Sequence, residues 1–234
     1  MSEINPMPLP LLTLHEQMIA CRACARLVEW RETVARDRRA AYRNEEYWGK
    51  PIVGFGDPLA RILVLGLAPG AHGGNRTGRV FTGDRSGDWL YGSLHRAGLA
   101  NQPHATGRDD GLQLTDVYVS VCVRCVPPGN QPTPQERQTC LPFLEQELAL
   151  LPNIRVIVCL GSFAWDSAIR LLKSRYPVAK KPTFAHLAEA IVGPFRLVGS
   201  YHPSQQNTFT GKLTEAMQDA VWDRVKLLSS ASFA

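Results

Sequence analysis

The sequence predicts one α/β domain spanning residues 1–234, a three-layer α/β/α sandwich around a central, mainly parallel sheet of four strands. Three observations predict it. Four short apolar runs rich in β-branched residues recur at 61–67 (RILVLGL), 116–123 (DVYVSVCV), 155–160 (RVIVCL) and 195–200 (FRLVGS). Glycine, proline or charge bounds each run, which is the pattern of a strand. Helical patterns separate the runs, and strands alternating with helices imply a parallel sheet covered on both faces.

The elements follow in order. Residues 11–48 contain few glycines or prolines and read as helical, with Leu27, Trp30, Val34 and Tyr42 on an apolar face. The run Arg36-Asp37-Arg38-Arg39 within it suits a solvated face. Residues 86–97 carry Leu90 and Leu94 at helical spacing, and Ser162 can cap the helix FAWDSAIRLLKSR. After Gly211, Leu213, Met217, Val221 and Val225 fall at i,i+4 steps. Ligands of such sheets bind beyond the carboxyl ends of the strands, so the loops after Leu67, Val123 and Ser200 are where chemistry is expected.

Composition bounds the rest. The chain is 44% hydrophobic and 20% charged, enough apolar material for one large core. No apolar run reaches the length of a membrane span. The start, MSEINPMPLPLLTLHEQ, has no basic n-region or cleavage signal, so the expected compartment is the cytoplasm. A net charge of +5 is compatible with a phosphate-bearing partner without requiring one.

Six cysteines are present, and in a reducing compartment they point to metal or catalysis rather than disulfides. Cys21 and Cys24 have chelating spacing, and Cys122 and Cys125 repeat it. If 116–123 is a strand, however, Cys122 and Cys125 lie ~10 Å apart and face opposite ways. Only Cys125 reaches the strand end, beside the turn Pro127-Pro128-Gly129-Asn130. Thr133-Pro134-Gln135-Glu136 reads as a capping box with proline at the first helical position. The helix it starts can return Cys140 towards Cys125. The ligand set is therefore Cys21, Cys24, Cys125 and Cys140, with Cys122 and Cys159 as small core hydrophobes. Four thiolates suit zinc and a [4Fe–4S] cluster equally well.

The loop after the first strand, residues 66–87, is dense in glycine and leads into a helix whose N-terminus favours anions. It has neither G-x-x-x-x-G-K-[ST] nor G-x-G-x-x-G order. The last strand ends in His202-Pro203-Ser204, a histidine at a strand's carboxyl end followed by a rigid proline.

Together Cys21 and Cys24, GFGDP at 54–58, the segment 66–87, Arg124-Cys125-Val126-Pro127-Pro128 and His202-Pro203-Ser204 resemble the uracil-DNA glycosylase superfamily. The likeness is strongest to its family 5, the B-type iron–sulfur enzymes. The resemblance implies a [4Fe–4S] cluster of structural role and a DNA partner containing uracil or other deaminated bases such as hypoxanthine. It also implies an enzyme that excises uracil, and a monomer is expected. Under it, His202 would hydrogen-bond the developing oxyanion of the leaving base. Asp84 would orient water or stabilise the sugar cation, or else cap the following helix. Asn130 would read a base edge or hold water, with turn formation as its rival role. Phe81 would stack on the extruded base, and Gly66, Ala68, Gly70, His72 and Asn75 would line the pocket. Arg79, Arg85 and Ser204 would contact phosphates. Ala68 stands where related families place a polar water-activating residue, so the water activator stays open. A zinc-stabilised nucleic-acid-binding module without catalysis is the rival expectation.

Overall fold

The computed structural model describes residues 5–230, and in it the four expected strands form the middle of a larger sheet. These are β2 (Ile62–Gly66), β3 (Val117–Val121), β4 (Val156–Leu160) and β6 (Phe195–Ser200), flanked by β1 (Phe55–Gly56) and β5 (Glu189–Val192). The order is β1-β3-β2-β4-β6-β5. The four central strands run parallel, and the two edge strands pair antiparallel. Four strands are thus corrected to six, and the reason is local. β1 is two residues long, and the four residues of β5, EAIV, show no apolar–polar alternation, so neither carries a strand signal in the sequence. β5 forms because Gly193 and Pro194 turn the chain back onto β6, pairing Val192 with Phe195.

Strand alternation divides the interior into two cores. Ile62, Val64, Val117, Val119, Val156 and Val158 point to one side, where Leu90, Leu94, Val221 and Trp222 pack. Leu63, Leu65, Tyr118, Ile157 and Cys159 point to the other, against Leu11, Leu14, Leu27, Leu144 and Trp165. Period two along each strand requires this division, because successive side chains face opposite ways. The helices on the first side are α4 (Arg85–Arg96) and α8 (Glu215–Ser230). On the second are α1 (Leu9–Ile19), α2 (Ala25–Asp37), α5 (Pro134–Ala149) and α6 (Ser162–Leu172). Two short helices, α3 (Gly74–Thr77) and α7 (Gln205–Phe209), lie in the loops after β2 and β6. No helix among the described residues is long and apolar enough to cross a membrane.

The helical segment expected over 11–48 is broken twice. Cys24 takes extended backbone as the N-cap of α2, and Arg38 leaves the helix at φ +52°. A short 3₁₀ turn, Ala40–Tyr42, follows. Ser162 is the first residue of α6, and Gly161 rather than Ser162 is its N-cap.

One buried polar network ties these layers together. The Arg124 guanidinium donates to Glu147 Oε2 at 2.6 Å and to Ser120 Oγ at 2.8 Å. Tyr118 Oη donates to Glu147 Oε1 at 3.3 Å, and His15 Nε2 lies 3.0 Å from Tyr118 Oη. Glu147 sits on α5, His15 on α1 and Tyr118 on β3, so one carboxylate fixes three elements. Glu147→Ala leaves a buried guanidinium without its counter-charge and is expected to lower stability by about 3–5 kcal/mol. Glu147→Gln keeps an acceptor and should cost less. Urea midpoints of the wild type and the two variants measure the difference, and a Glu147→Gln midpoint equal to that of the wild type would refute the role of the charge.

Candidate active site

At the carboxyl ends of the central strands lies a cleft of about 490 Å³. Its walls come from four segments: 67–70 after β2, Phe81 with the start of α4, Asn130 beyond β3, and His202 with 204–206 after β6. A wider groove of about 600 Å³ runs between α1, α2 and residues 47–50, and contains none of these strand-end loops. The volume and mixed lining of the smaller cleft are those of a small-molecule site.

His202 follows β6 directly. Asn207 Nδ2 donates to its carbonyl at 2.9 Å, and Ser204 Oγ accepts from Asn207 N at 3.3 Å, capping α7. This short capped turn holds the imidazole over the cleft. Burial lowers the pKa of His202 to about 4, so it is neutral at physiological pH. Phe81 lies beside it, with ring centroids 6.0 Å apart and planes tilted by 34°. The Phe81 backbone adopts φ +48°, which turns the ring inward over the end of β2. A Cβ at Gly66 would come within 2.6 Å of that ring, so only glycine fits there.

Asp84 caps its helix and also faces the cleft. Its Oδ1 accepts from Gly87 N at 3.1 Å, capping α4, while the residue also lines the cleft. Its Oδ2 lies over Gly70 and Gly73, where a Cβ on Gly73 would collide with it. Burial raises the Asp84 pKa, and hydrogen bonds from the Gly87 and Ser86 amides oppose that rise. Asn130 also has two roles: its amide closes a turn onto the Pro127 carbonyl, and its φ of +58° presents it at the cleft. Ala68, Gly70, Arg85 and Ser204 line the cleft too, with the Arg85 guanidinium 4.3 Å from the exposed Phe209 ring.

Four expected site residues lie outside the cleft lining, the first being Gly66, which is buried at the end of β2 beneath the Phe81 ring. Arg79 is 4% exposed and forms a bidentate ion pair with Asp110, and its Nε donates to Thr82 Oγ1 at 3.0 Å. Burial alone would raise the Asp110 pKa. Arg79 and the amides of Leu112, Thr106 and Gly107 instead hold it well below the usual carboxylate range. Arg79 thus braces the loop and does not reach out to phosphate. His72 turns to Tyr47, with Nδ1 3.0 Å from the phenolic oxygen. Asn75 is wholly buried, and its Nδ2 donates to the Arg31 carbonyl at 3.2 Å. Sequence reading missed Leu67, Pro69 and Ser86 in the cleft lining. It also missed Arg76, whose Nε donates to the His72 carbonyl at 2.7 Å and whose Nη2 donates to the Gly83 carbonyl at 2.9 Å. That clamp joins two ends of the glycine-rich loop, and no sequence motif marks it.

Cys21, Cys24, Cys125 and Cys140 line one cavity beside the cleft-forming loops, with Leu27, Val28 and Phe143 around them. Cys21 follows α1, Cys24 caps α2, Cys125 lies just beyond β3 and Cys140 lies on α5. The capping box at Thr133 and Glu136 is formed. Arg26 on α2 donates to both Glu136 oxygens at 2.7 Å, tying the start of α2 to the start of α5. Arg124 N donates to Cys140 Sγ at 3.3 Å, and Arg31 Nη1 donates to Cys125 Sγ at 3.0 Å. Cys122 and Cys159 are buried in the second core, and burial pushes the Cys122 thiol up to about 12.

A parallel sheet with its cleft at the strand ends, a histidine after the last strand and a glycine-rich loop after β2 define a class. The chain belongs to the uracil DNA glycosylase superfamily, whose family model matches residues 53–226. It is 51% identical over 219 residues to a type-5 uracil-DNA glycosylase of Mycobacterium leprae, covering 92% of this chain and 94% of that one. A type-5 uracil-DNA glycosylase of Thermus thermophilus is 50% identical over 206 residues, covering 86% and 90%. A type-4 uracil-DNA glycosylase of Archaeoglobus fulgidus is 30% identical over 156 residues, covering 65% and 70%.

The buried imidazole has a pH signature. Between pH 6.5 and about 4 the unfolded chain binds a proton at His202 and the folded chain does not. Stability therefore falls as pH falls through that window. His202→Asn removes the titrating group, so its stability should depend less steeply on pH there than the wild type does. Denaturant unfolding at several pH values measures both slopes, and identical slopes would overturn the assignment.

Proposed function

We propose that the chain is a monofunctional DNA glycosylase that hydrolyses the N-glycosidic bond of uracil, and of other deaminated bases such as hypoxanthine, in base excision repair. The observation that carries the proposal is the convergence of His202, Asp84, Asn130 and Phe81 on one strand-end cleft. The target nucleotide leaves the stack, at a cost of a few kcal/mol that is smaller when it is mispaired. Its base lies against Phe81, since an aromatic face accepts any planar ring. Ala68 and Gly70 leave one wall without bulk, which admits a purine as well as a pyrimidine.

As the bond between C1′ and the base breaks, its electron pair leaves with the base and positive charge grows on the sugar. Neutral His202 donates a hydrogen bond to the oxyanion forming on the base. The Asp84 carboxylate faces the sugar and holds the water whose oxygen adds to C1′. Asn130 orients the base edge or that water. Arg85, Ser204, Gln205 and Gln206 contact phosphates at the rim, which positions the duplex and makes binding salt-sensitive.

Cys21, Cys24, Cys125 and Cys140 hold a [4Fe–4S] cluster in this reading. Among the described residues, no three His, Cys, Asp or Glu side chains form a group that could hold a metal ion. The four thiols line one narrow cavity, and a donor set of four cysteines is that of a [4Fe–4S] cluster as well as of zinc. When bound, the cluster supplies metal–thiolate bonds that cross-link α1, α2, α5 and the end of β3. The enzyme acts as a monomer in the cytoplasm, where reduced thiols are available to the cluster.

Purified protein incubated with a uracil-containing oligonucleotide should generate abasic sites, read as strand scission after alkali. Brown, folded protein that yields no scission would sink the proposal. A colourless, zinc-loaded protein that binds DNA, and whose behaviour does not change in His202→Ala, would favour a non-catalytic binding module. His202→Ala is expected to lower kcat about 10²–10³-fold with DNA binding retained. Asp84→Asn preserves the α4 cap, because asparagine caps as well as aspartate. It should therefore lose turnover without losing thermal stability, and parallel losses would reduce Asp84 to a cap.

A further inference from the structure

A continuous path of buried contacts runs from the cysteine cavity to the cleft, and neither site accounts for it. It begins at Cys125, whose Sγ accepts from Arg31 Nη1 at 3.0 Å. Arg31 is 2% exposed, and both of its terminal nitrogens also donate to the Cys21 carbonyl at 3.2 Å. One side chain thus touches two of the four cysteine positions. The Arg31 backbone carbonyl then accepts from Asn75 Nδ2 at 3.2 Å, across to the glycine-rich loop. Asn75 N in turn donates to the Gly70 carbonyl at 3.1 Å, and Gly49 N donates to the Asn75 carbonyl at 3.0 Å. Gly70 lines the cleft and lies under the Asp84 carboxylate, where a Cβ would come within 2.8 Å of Oδ2.

Two polar atoms on this path, Arg31 Nε and Asn75 Oδ1, are buried without a protein partner. Buried polar groups in that condition are costly, so a protein keeps them where other contacts of the same residues compensate. A metal-bound thiolate makes the Arg31 contact charge-assisted, about twice as strong as a neutral hydrogen bond.

We propose that Arg31 and Asn75 are positioning residues that transmit the loaded state of the cysteine centre to the base pocket. Arg31 seats α2 on the centre, its carbonyl seats Asn75, and Asn75 seats Gly70 beside Asp84. The proposal rests on the iron–sulfur reading of the four cysteines. It makes the cluster more than a remote staple, because its loss loosens the pocket through two named side chains.

The test compares holoprotein of the wild type, Asn75→Ala, Arg31→Lys and the double variant. Three readouts are iron content with visible absorption, hydrogen exchange of the 70–78 amides, and kcat and KM on a uracil oligonucleotide. Asn75→Ala should keep wild-type iron and absorption, exchange faster at 70–78, and lose about 10–100-fold in kcat with little change in KM. Wild-type protein stripped of iron should show the same fast exchange at 70–78. Arg31→Lys should loosen the same amides, and the double variant should be no worse than the more damaged single one. Asn75→Asp keeps the shape but removes the donor, and serves if the alanine variant does not fold. Loss of iron in the Asn75 variants, unchanged exchange at 70–78, or additive losses in the double variant would each overturn the proposal. The exchange arm needs no turnover, so it separates failure of this coupling from failure of the glycosylase reading.

Discussion

A full positive charge buried at Arg124 is the constraint on which the rest of the molecule depends. Burial opposes that charge, and the neighbouring Glu147 carboxylate outweighs burial and raises the guanidinium pKa. The pair can form in one arrangement only, with α5 held at a fixed height against the end of β3. The same residue uses its backbone on both sides, since Arg124 N donates to Cys140 Sγ and its carbonyl accepts from Ile52 N at 2.7 Å. Cys125 is the next residue along. The strand end that positions the cysteine cavity is therefore also the one from which the chain continues to Asn130 and the cleft.

This arrangement explains which parts of the fold were legible in the sequence. The four central strands could be read because β2, β3 and β4 are buried along their whole length, β6 is buried over its last four residues, and all four are mainly apolar. The choice of Cys140 over Cys122 could be read because strand geometry separates Cys122 from Cys125, and because a capping box announces the helix that returns Cys140. The edge strands could not. β5 exists through the turn at Gly193 and its pairing with β6, and its own residues carry little burial signal.

The glycine-rich loop was legible as a location but not as a list of contacts. Sequence marks 66–87 as a place where backbone approaches a ligand, yet it cannot say which way each side chain turns. Gly78, Phe81 and Gly83 all take positive φ, so no helical or strand period survives across the loop. His72, Asn75 and Arg79 turn inward because Tyr47, Arg31 and Asp110, all remote in sequence, supply their partners. Phe81, Asp84 and Ala68 stay at the cleft. The inward residues brace what the cleft residues expose, and a rigid scaffold of this kind is what a preorganised site needs.

The charges in the cleft bear on the water activator. Among the described residues that line it, Asp84 is the one carboxylate, and the imidazole at His202 is neutral. In the proposed reaction a neutral histidine leaves the carboxylate's charge for the cation developing at C1′, while still offering an N–H dipole to the departing base. The two opposite charges of a dissociating glycosidic bond then meet two different groups, each suited to one of them. A path of that kind asks little of a general base, because water adds to a carbon already electron-poor. An unreactive Ala68 at the start of the loop fits such a path, and under the proposed function Asp84, fixed by the α4 cap above Gly70 and Gly73, is the group left to orient the water.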